Sequence, residues 1–149
     1  MTDHTQLNFY INTRLRSHPL LGDITVPGDK SISHRAVILG SIALGKSTVS
    51  GFLWGSDTLA TVAIMQQLGV EIKVDAPNQC LQIRGAGPFG LRAPHKPLDC
   101  TNAGTALRLL SGVLCAQRFC SSLVGDESLS KRPMGRIVTP LREMGAIIG

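Results

Sequence analysis

Residues 27–44 read PGDKSISHRAVILGSIAL. Pro27, Gly28 and Asp29 break the chain at the start of this stretch. Beyond them Ala36, Val37, Ile38, Leu39, Ile42, Ala43 and Leu44 leave almost no polar face. The pattern predicts a helix over 33–44, capped by Ser31 or Ser33, stopped by Gly45 and buried on most sides. A short strand is predicted just before it, over 23–26.

Downstream, residues 47–53 alternate and carry β-branched side chains, so they predict a strand. Ser56 and Asp57 are expected to cap a second helix that ends at Leu68, before Gly69. Residues 70–74 and 80–83 predict two more strands, joined by a turn over 75–78. Residues 85–97 form a Gly- and Pro-rich loop. Around Leu98 the pattern restarts. A turn at 100–104 leads to an apolar helix over 105–116 and a strand over 120–124. An amphipathic helix then carries Met134, Ile137, Val138, Leu141 and Met144 at helical spacing. Pro140 inside that pattern implies a kink or a later start.

The order is β-turn-α-β-α-β-β, followed by β-turn-α-β-α. Arg35 and Arg108 both sit early in an apolar helix, and Gln67-Leu68-Gly69-Val70 and Glu143-Met144-Gly145-Ala146 both close the next one. An internal repeat is therefore expected. Its first unit covers about 22–85 and its second, incomplete, about 97–149, within a body at 21–149. Residues 1–20 are polar and irregular and read as a leader. The chain reads as cut in mid-unit. The fold class is α/β (α+β), built of repeated βαβαββ units with buried helices.

Composition narrows the function. The formal charge of +5 favours anionic ligands. One Trp and one Tyr provide few stacking platforms, and the basic residues are scattered, so small anions are favoured over nucleic acid. No apolar stretch reaches the length of a membrane span, and residues 1–12 have no apolar core of the signal-peptide kind. Cys80, Cys100, Cys115 and Cys120 form no CxxC pair and have no His at metal-ligand spacing. They read as reduced thiols, with Cys115 and Cys120 in the core, and the protein as cytoplasmic with no metal.

Three constellations can bind anions. Lys30, Ser31 and Arg35 gather at a helix start, where free N–H groups and the helix dipole attract negative charge. Arg35 can fork onto a phosphate or carboxylate. Spacing alone leaves this open against a capped helix with two solvated basic residues. In the second, Asn102 or Thr105 can cap a helix, Gly104 permits close approach to the backbone, and Arg108 mirrors Arg35. In the third, Lys131 and Arg132 precede Pro133, which suits a first helical position, and Arg132 and Arg136 can share one helix face. Taken alone, the second reads better as an ordinary turn and cap, and Arg136 of the third as part of a solvated basic turn. Asp57 reads as a helix-start carboxylate. His34 reads equally as a ligand contact or a surface residue.

Residues 40–47, GSIALGKS, fit the phosphate-loop pattern of nucleotide hydrolases. That mechanism needs a strand before the loop and a helix after it. Here the helix comes first and the strand second, so this alternative is disfavoured.

Residues 28–35, 102–108 and 132–136, in that order, closely resemble 5-enolpyruvylshikimate-3-phosphate synthase (3-phosphoshikimate 1-carboxyvinyltransferase). The resemblance runs from about Asp23 to the last residue, and the RPMGR form at 132–136 is similar to the second class of these enzymes, often tolerant of glyphosate. It implies an inside-out α/β barrel-like domain of the enolpyruvyl transferase family. It implies transfer of the enolpyruvyl group of phosphoenolpyruvate to the 5-hydroxyl of shikimate 3-phosphate, with release of phosphate, in aromatic amino acid biosynthesis. No cofactor is implied, and the full-length form is implied to be a monomer. Lys30 would be catalytic and touch both substrates. Ser31 and Arg35 would hold shikimate 3-phosphate. Gly104 and Arg132 would hold phosphoenolpyruvate, with Asn102, Thr105, Arg108 and Arg136 as further candidates.

Two positions bear on the match. Asp29 occupies a position where serine is expected, and it adds negative charge near an anion site. Gly104 is the family's usual residue, whereas some glyphosate-tolerant relatives carry alanine. The resemblance also places the family's Ser-Ser-Gln motif, catalytic Asp and Lys and remaining arginines beyond Gly149, which implies a fragment inactive by itself. With both substrates added, phosphate release is expected to stay at the protein-free blank. UDP-N-acetylglucosamine enolpyruvyl transferase, which shares the fold, is the nearest rival. It typically has Lys-Asn in place of Lys30-Ser31 and a reactive Cys in the stretch matching 126–136, where this chain has none.

Overall fold

The expected helix after Pro27 is present, three residues earlier than its sequence pattern suggests. In the computed structural model, which describes residues 21–149, helix α1 spans Lys30–Ile42. The leader expected at 1–20 lies outside the described residues. Asp29 caps α1, in place of Ser31 or Ser33: its side chain accepts a 2.7 Å bond from the Ile32 N–H. Ser33 is drawn inward instead, donating to Asp29 O at 2.8 Å and accepting from Leu53 N at 3.1 Å. The strand expected at 23–26 does not form. No described strand pairs with it, and Leu21, Ile24 and Val26 are exposed.

Strand β1 (Leu44–Ser50) follows α1 at once, so the helix stops two residues short of the expected Leu44. Helix α2 (Ser56–Gln67) begins after Gly55, whose side-chain-free cap replaces the expected Ser56-Asp57 cap. Strand β2 (Glu71–Asp75) lies one residue later than expected, and β3 (Cys80–Ala86) begins where expected but runs three residues further, into the expected loop. They form an antiparallel sheet ordered β1-β3-β2, with Ser47 opposite Ile83 and Ile72 opposite Ile83. Alternation puts Leu81, Ile83 and Ile72 on the core face and Lys46, Lys73, Gln82 and Arg84 outside.

The second half is less regular. Short parallel strands β4 (Leu98–Asp99) and β5 (Leu123–Val124) flank helix α3 (Gly104–Cys115). A one-turn helix α4 (Glu127–Ser130), not anticipated, is capped by Asp126. Helix α5 (Gly135–Glu143) starts two residues after Pro133, so Pro133 is not its first position. Pro140 nevertheless lies inside α5, in its second turn, where it has no N–H to donate to Arg136 O.

Val37, Ile38, Phe52, Ile64, Met65, Leu68, Leu81, Ile83, Leu98 and Leu110 belong to one core cluster. Burial of each such side chain contributes about 1.5–3 kcal/mol. Helix α1 packs against α2, α3, β1 and β3, yet Ile32 and Leu39 remain 65% and 60% exposed. The expectation of burial on most sides is therefore corrected: among the described residues nothing covers that face. Cys100 is buried, and burial, reinforced by Asp99, pushes its thiol up to about 12. Cys120 is exposed and Cys115 half-buried, so neither is the core residue expected.

Candidate functional site: two cationic helix entrances

The first entrance is the start of α1. Gly28 lies so close to the β1–α2 connection that a Cβ there would stand 2.1 Å from Gly51 O and 2.9 Å from Leu53 N. Only glycine permits this approach, which sets the first turn of α1 beside the first turn of α2. There Lys30 Nζ donates to Asp57 Oδ2 across the two helices. Asp57 is thus more than a helix-start carboxylate. The lysine side chain is half-exposed, and solvent keeps such a pair weak. An incoming phosphate can therefore compete for the ammonium. Ser31 is half-buried and Arg35 exposed, and neither has a hydrogen-bond or ion-pair partner among the described residues.

One turn further in, His34 is fully buried, not on the surface. Its Nδ1 lies 2.7 Å from Thr61 Oγ1, while Nε2 is buried with no partner among the described residues. Burial lowers the His34 pKa; Asp57 opposes the shift and Lys30 adds to it. The folded state thus favours neutral imidazole. Above the ordinary histidine range both folded and unfolded states are neutral, and the shift has no effect. As pH falls through 6.5 the unfolded chain takes up a proton that the folded chain resists, and stability is lost until the lower folded pKa is reached. Urea midpoints are expected to drop between about pH 7.5 and 5.5, and to drop less in His34→Asn, which has no ring to protonate.

The second entrance is the start of α3. Ala103 precedes the helix and no side chain caps it, contrary to the expectation for Asn102 or Thr105. Asn102 is engaged elsewhere: it accepts from Arg132 Nη2 and donates to Asp126 Oδ2 at 2.7 Å. The amide N–H groups of Thr105 and Ala106, in the first turn, are consequently free of any side-chain cap. Arg108 reaches back to Gly104 O at 3.1 Å. A Cβ at Gly104 would lie 2.7 Å from Arg108 Nη1 and 3.0 Å from Arg132 Nη1. Two guanidinium groups therefore converge over a bare backbone position. Hydrogen bonds from Asn102 and from the Leu129 N–H hold the Asp126 carboxyl below the ordinary carboxylate range, and Arg132 contributes.

Arg136 does not join this group. Residues 131–134 form the turn between α4 and α5, so Arg132 and Arg136 share no helix face. Lys131 pairs with Glu127. Lys46, in the phosphate-loop match, lies in strand β1 opposite Arg84, with α1 before it. The strand-loop-helix geometry required of a nucleotide loop is absent there. No cluster of three or more His, Cys, Asp or Glu side chains suited to a metal occurs among the described residues, and no described helix is long and apolar enough to cross a membrane.

An uncapped helix start beneath two converging guanidiniums, and a helix start carrying Lys30 and Arg35, each suit anionic ligands. The family model for EPSP synthase (3-phosphoshikimate 1-carboxyvinyltransferase) matches residues 16–149. The chain belongs to the EPSP synthase family. A 3-phosphoshikimate 1-carboxyvinyltransferase of Acidithiobacillus ferrooxidans is 60% identical over 130 residues, which is 87% of this chain and 30% of that protein. One from Xanthomonas campestris pv. campestris is 56% identical over 133 residues, 89% of this chain and 30% of that protein. An EPSP synthase structure from Acinetobacter baumannii superposes with a TM-score of 0.81 at 53% identity, covering 85% of this chain and 28% of that one. The chain therefore has the α/β fold of the EPSP synthase family and spans about 30% of the length of the curated relatives it matches. Sequence reasoning did not assign Asp57, Asp126 or Thr61 to these entrances. The spacing of 27 residues between Lys30 and Asp57, and again between His34 and Thr61, becomes meaningful only once α1 and α2 pack.

Proposed function

We propose that this chain carries substrate-binding residues for transfer of the enolpyruvyl group from phosphoenolpyruvate to shikimate 3-phosphate, with release of phosphate. The convergence of Arg108 and Arg132 over Gly104 supports this reading most directly. Both substrates carry phosphate and carboxylate groups, and preformed cationic donors with open amide N–H groups stabilise such charge without reorganising. In this proposal Lys30 is the catalytic lysine and contacts both substrates. Ser31 and Arg35 hold shikimate 3-phosphate. Gly104 and Arg132 hold phosphoenolpyruvate, with Asn102, Thr105 and Arg108 supporting them and Arg136 outermost. The first repeat unit at about 22–85, here without its leading strand, and the incomplete second unit at about 97–149 then each offer a helix start to the same ligands.

The reading is tested by calorimetric titration of the chain with shikimate 3-phosphate. Lys30→Ala is expected to lower affinity about tenfold or more, since a charged hydrogen bond is lost, and Lys46→Ala to leave it within about twofold. The reverse pattern, or no binding by the unaltered chain, would sink the reading.

A further inference from the structure

Helices α1 and α2 are joined by two rungs. Lys30 meets Asp57 on the outer rung, and His34 meets Thr61 on the inner one. Lys30 and His34 are four apart on α1, as are Asp57 and Thr61 on α2, so each pair lies on one helix face. The inner rung is wholly buried, since His34 and Thr61 are both 0% exposed, whereas the outer rung is half in solvent. A hydrogen bond in the dry rung is the more rigid of the two.

The connection between β1 and α2 adds to the same clamp. Leu53 N donates to Ser33 Oγ at 3.1 Å, and Thr58 Oγ1 donates to Leu53 O at 2.7 Å. The backbone at Leu53 is thus tied to α1 on one side and α2 on the other. All four side chains, Ser33, His34, Thr58 and Thr61, are buried polar groups. Leaving any of them unsatisfied costs the desolvation of that group.

We propose that His34 is a positioning residue, acting through its bond to Thr61 to hold the first turn of α1 in the register that presents Lys30 beside Asp57. Lys30 itself has a long, flexible stem and a partner that solvent screens. Its location is therefore decided by where its helix turn stands, which the His34–Thr61 rung fixes together with the close approach at Gly28. The imidazole touches no substrate in this scheme. The unpartnered Nε2 is compatible with it, because Nδ1 alone makes the rung; an asparagine amide can reach Thr61 from the same position.

The test has two arms, of which only the second rests on the proposed function. In the first, the 149-residue chain labelled with nitrogen-15 is observed at low temperature for the Lys30 ammonium. A held ammonium exchanges its protons slowly enough to give a signal. The signal is expected in the unaltered chain, in His34→Asn and in Thr61→Ser, and to be lost in His34→Leu and Thr61→Val while the backbone amide spectrum stays folded. In the second arm, shikimate 3-phosphate affinity is expected to fall about fivefold or more in His34→Leu and to recover in His34→Asn. In a Lys30→Ala background His34→Leu is expected to have no further effect. A Lys30 signal that survives both His34→Leu and Thr61→Val overturns the proposal, as does an equal loss of affinity with and without Lys30. Loss of the signal in a chain that binds no shikimate 3-phosphate upholds the positioning role and removes the proposed function instead.

Discussion

Replacing Arg132 with alanine is expected to weaken phosphoenolpyruvate binding, measured with shikimate 3-phosphate present, by roughly tenfold to a hundredfold. A hydrogen bond to a charged group contributes about 1.5–3 kcal/mol, and each 1.4 kcal/mol is about a factor of ten. Arg132 Nη2 is anchored on Asn102 Oδ1, and Asn102 in turn on Asp126. The guanidinium is therefore oriented before a ligand arrives, and its second nitrogen, Nη1, points over Gly104. Arg132→Lys is expected to recover only part of the loss, because an ammonium has the charge without the fork. Arg132 is exposed and lies outside the core cluster, so the unfolding midpoint should barely move. A loss of less than about twofold in Arg132→Ala would remove Arg132 from the binding residues.

Gly28→Ala is expected to give the largest loss of stability, about 1–3 kcal/mol, read as a lower urea midpoint at unchanged slope. The added methyl would meet Gly51 O at 2.1 Å and Leu53 N at 2.9 Å. Both are backbone atoms, and neither can rotate away as a side chain does. Gly51 has a φ of 65°, a conformation already reserved for glycine, so the connection has little freedom to retreat. Relief requires residues 27–29 to shift, which would carry the Asp29 carboxylate off the Ile32 N–H and disturb the first turn of α1. Shikimate 3-phosphate affinity should fall along with stability. Gly104→Ala makes a useful contrast. Its methyl would meet the far ends of two flexible arginines, which can move, so it should change ligand affinity more than stability. A midpoint for Gly28→Ala equal to that of the unaltered chain would show that the close approach is not obligatory.

The order of α1, β1, α2, β2 and β3 was legible because of strong local signatures: an apolar run after Pro27-Gly28-Asp29, alternation in β3, and a helical run closed by Gly69, whereas the stop expected at Gly45 fell inside β1. The resemblance rested on contiguous runs such as residues 28–35 and 102–108, whose spacing survives in sequence. Boundaries and caps were less legible. Ser31, Ser33 and Asp29 can all cap a helix, and the choice depended on Ser33 finding Leu53 N twenty residues away. The strand expected at 23–26 had the right residues but no partner, since a strand is stabilised by pairing and not by its own backbone. Helix α4 was too short to show a period.

By itself, the sequence determined which side chains carry charge and which local segments form helices, because periodicity and turn chemistry act over a few residues. That was enough for the family and for the candidates Lys30, Ser31, Arg35, Gly104 and Arg132. Only the tertiary structure decided what those side chains meet. It placed Lys30 on Asp57, buried His34 against Thr61, and brought Arg132 to Asn102 from thirty residues away. It also separated Arg136 from Arg132, which sequence spacing had put on one face. Such contacts depend on how helices pack over a shared core, and no local pattern records the distance between two residues that only packing brings together.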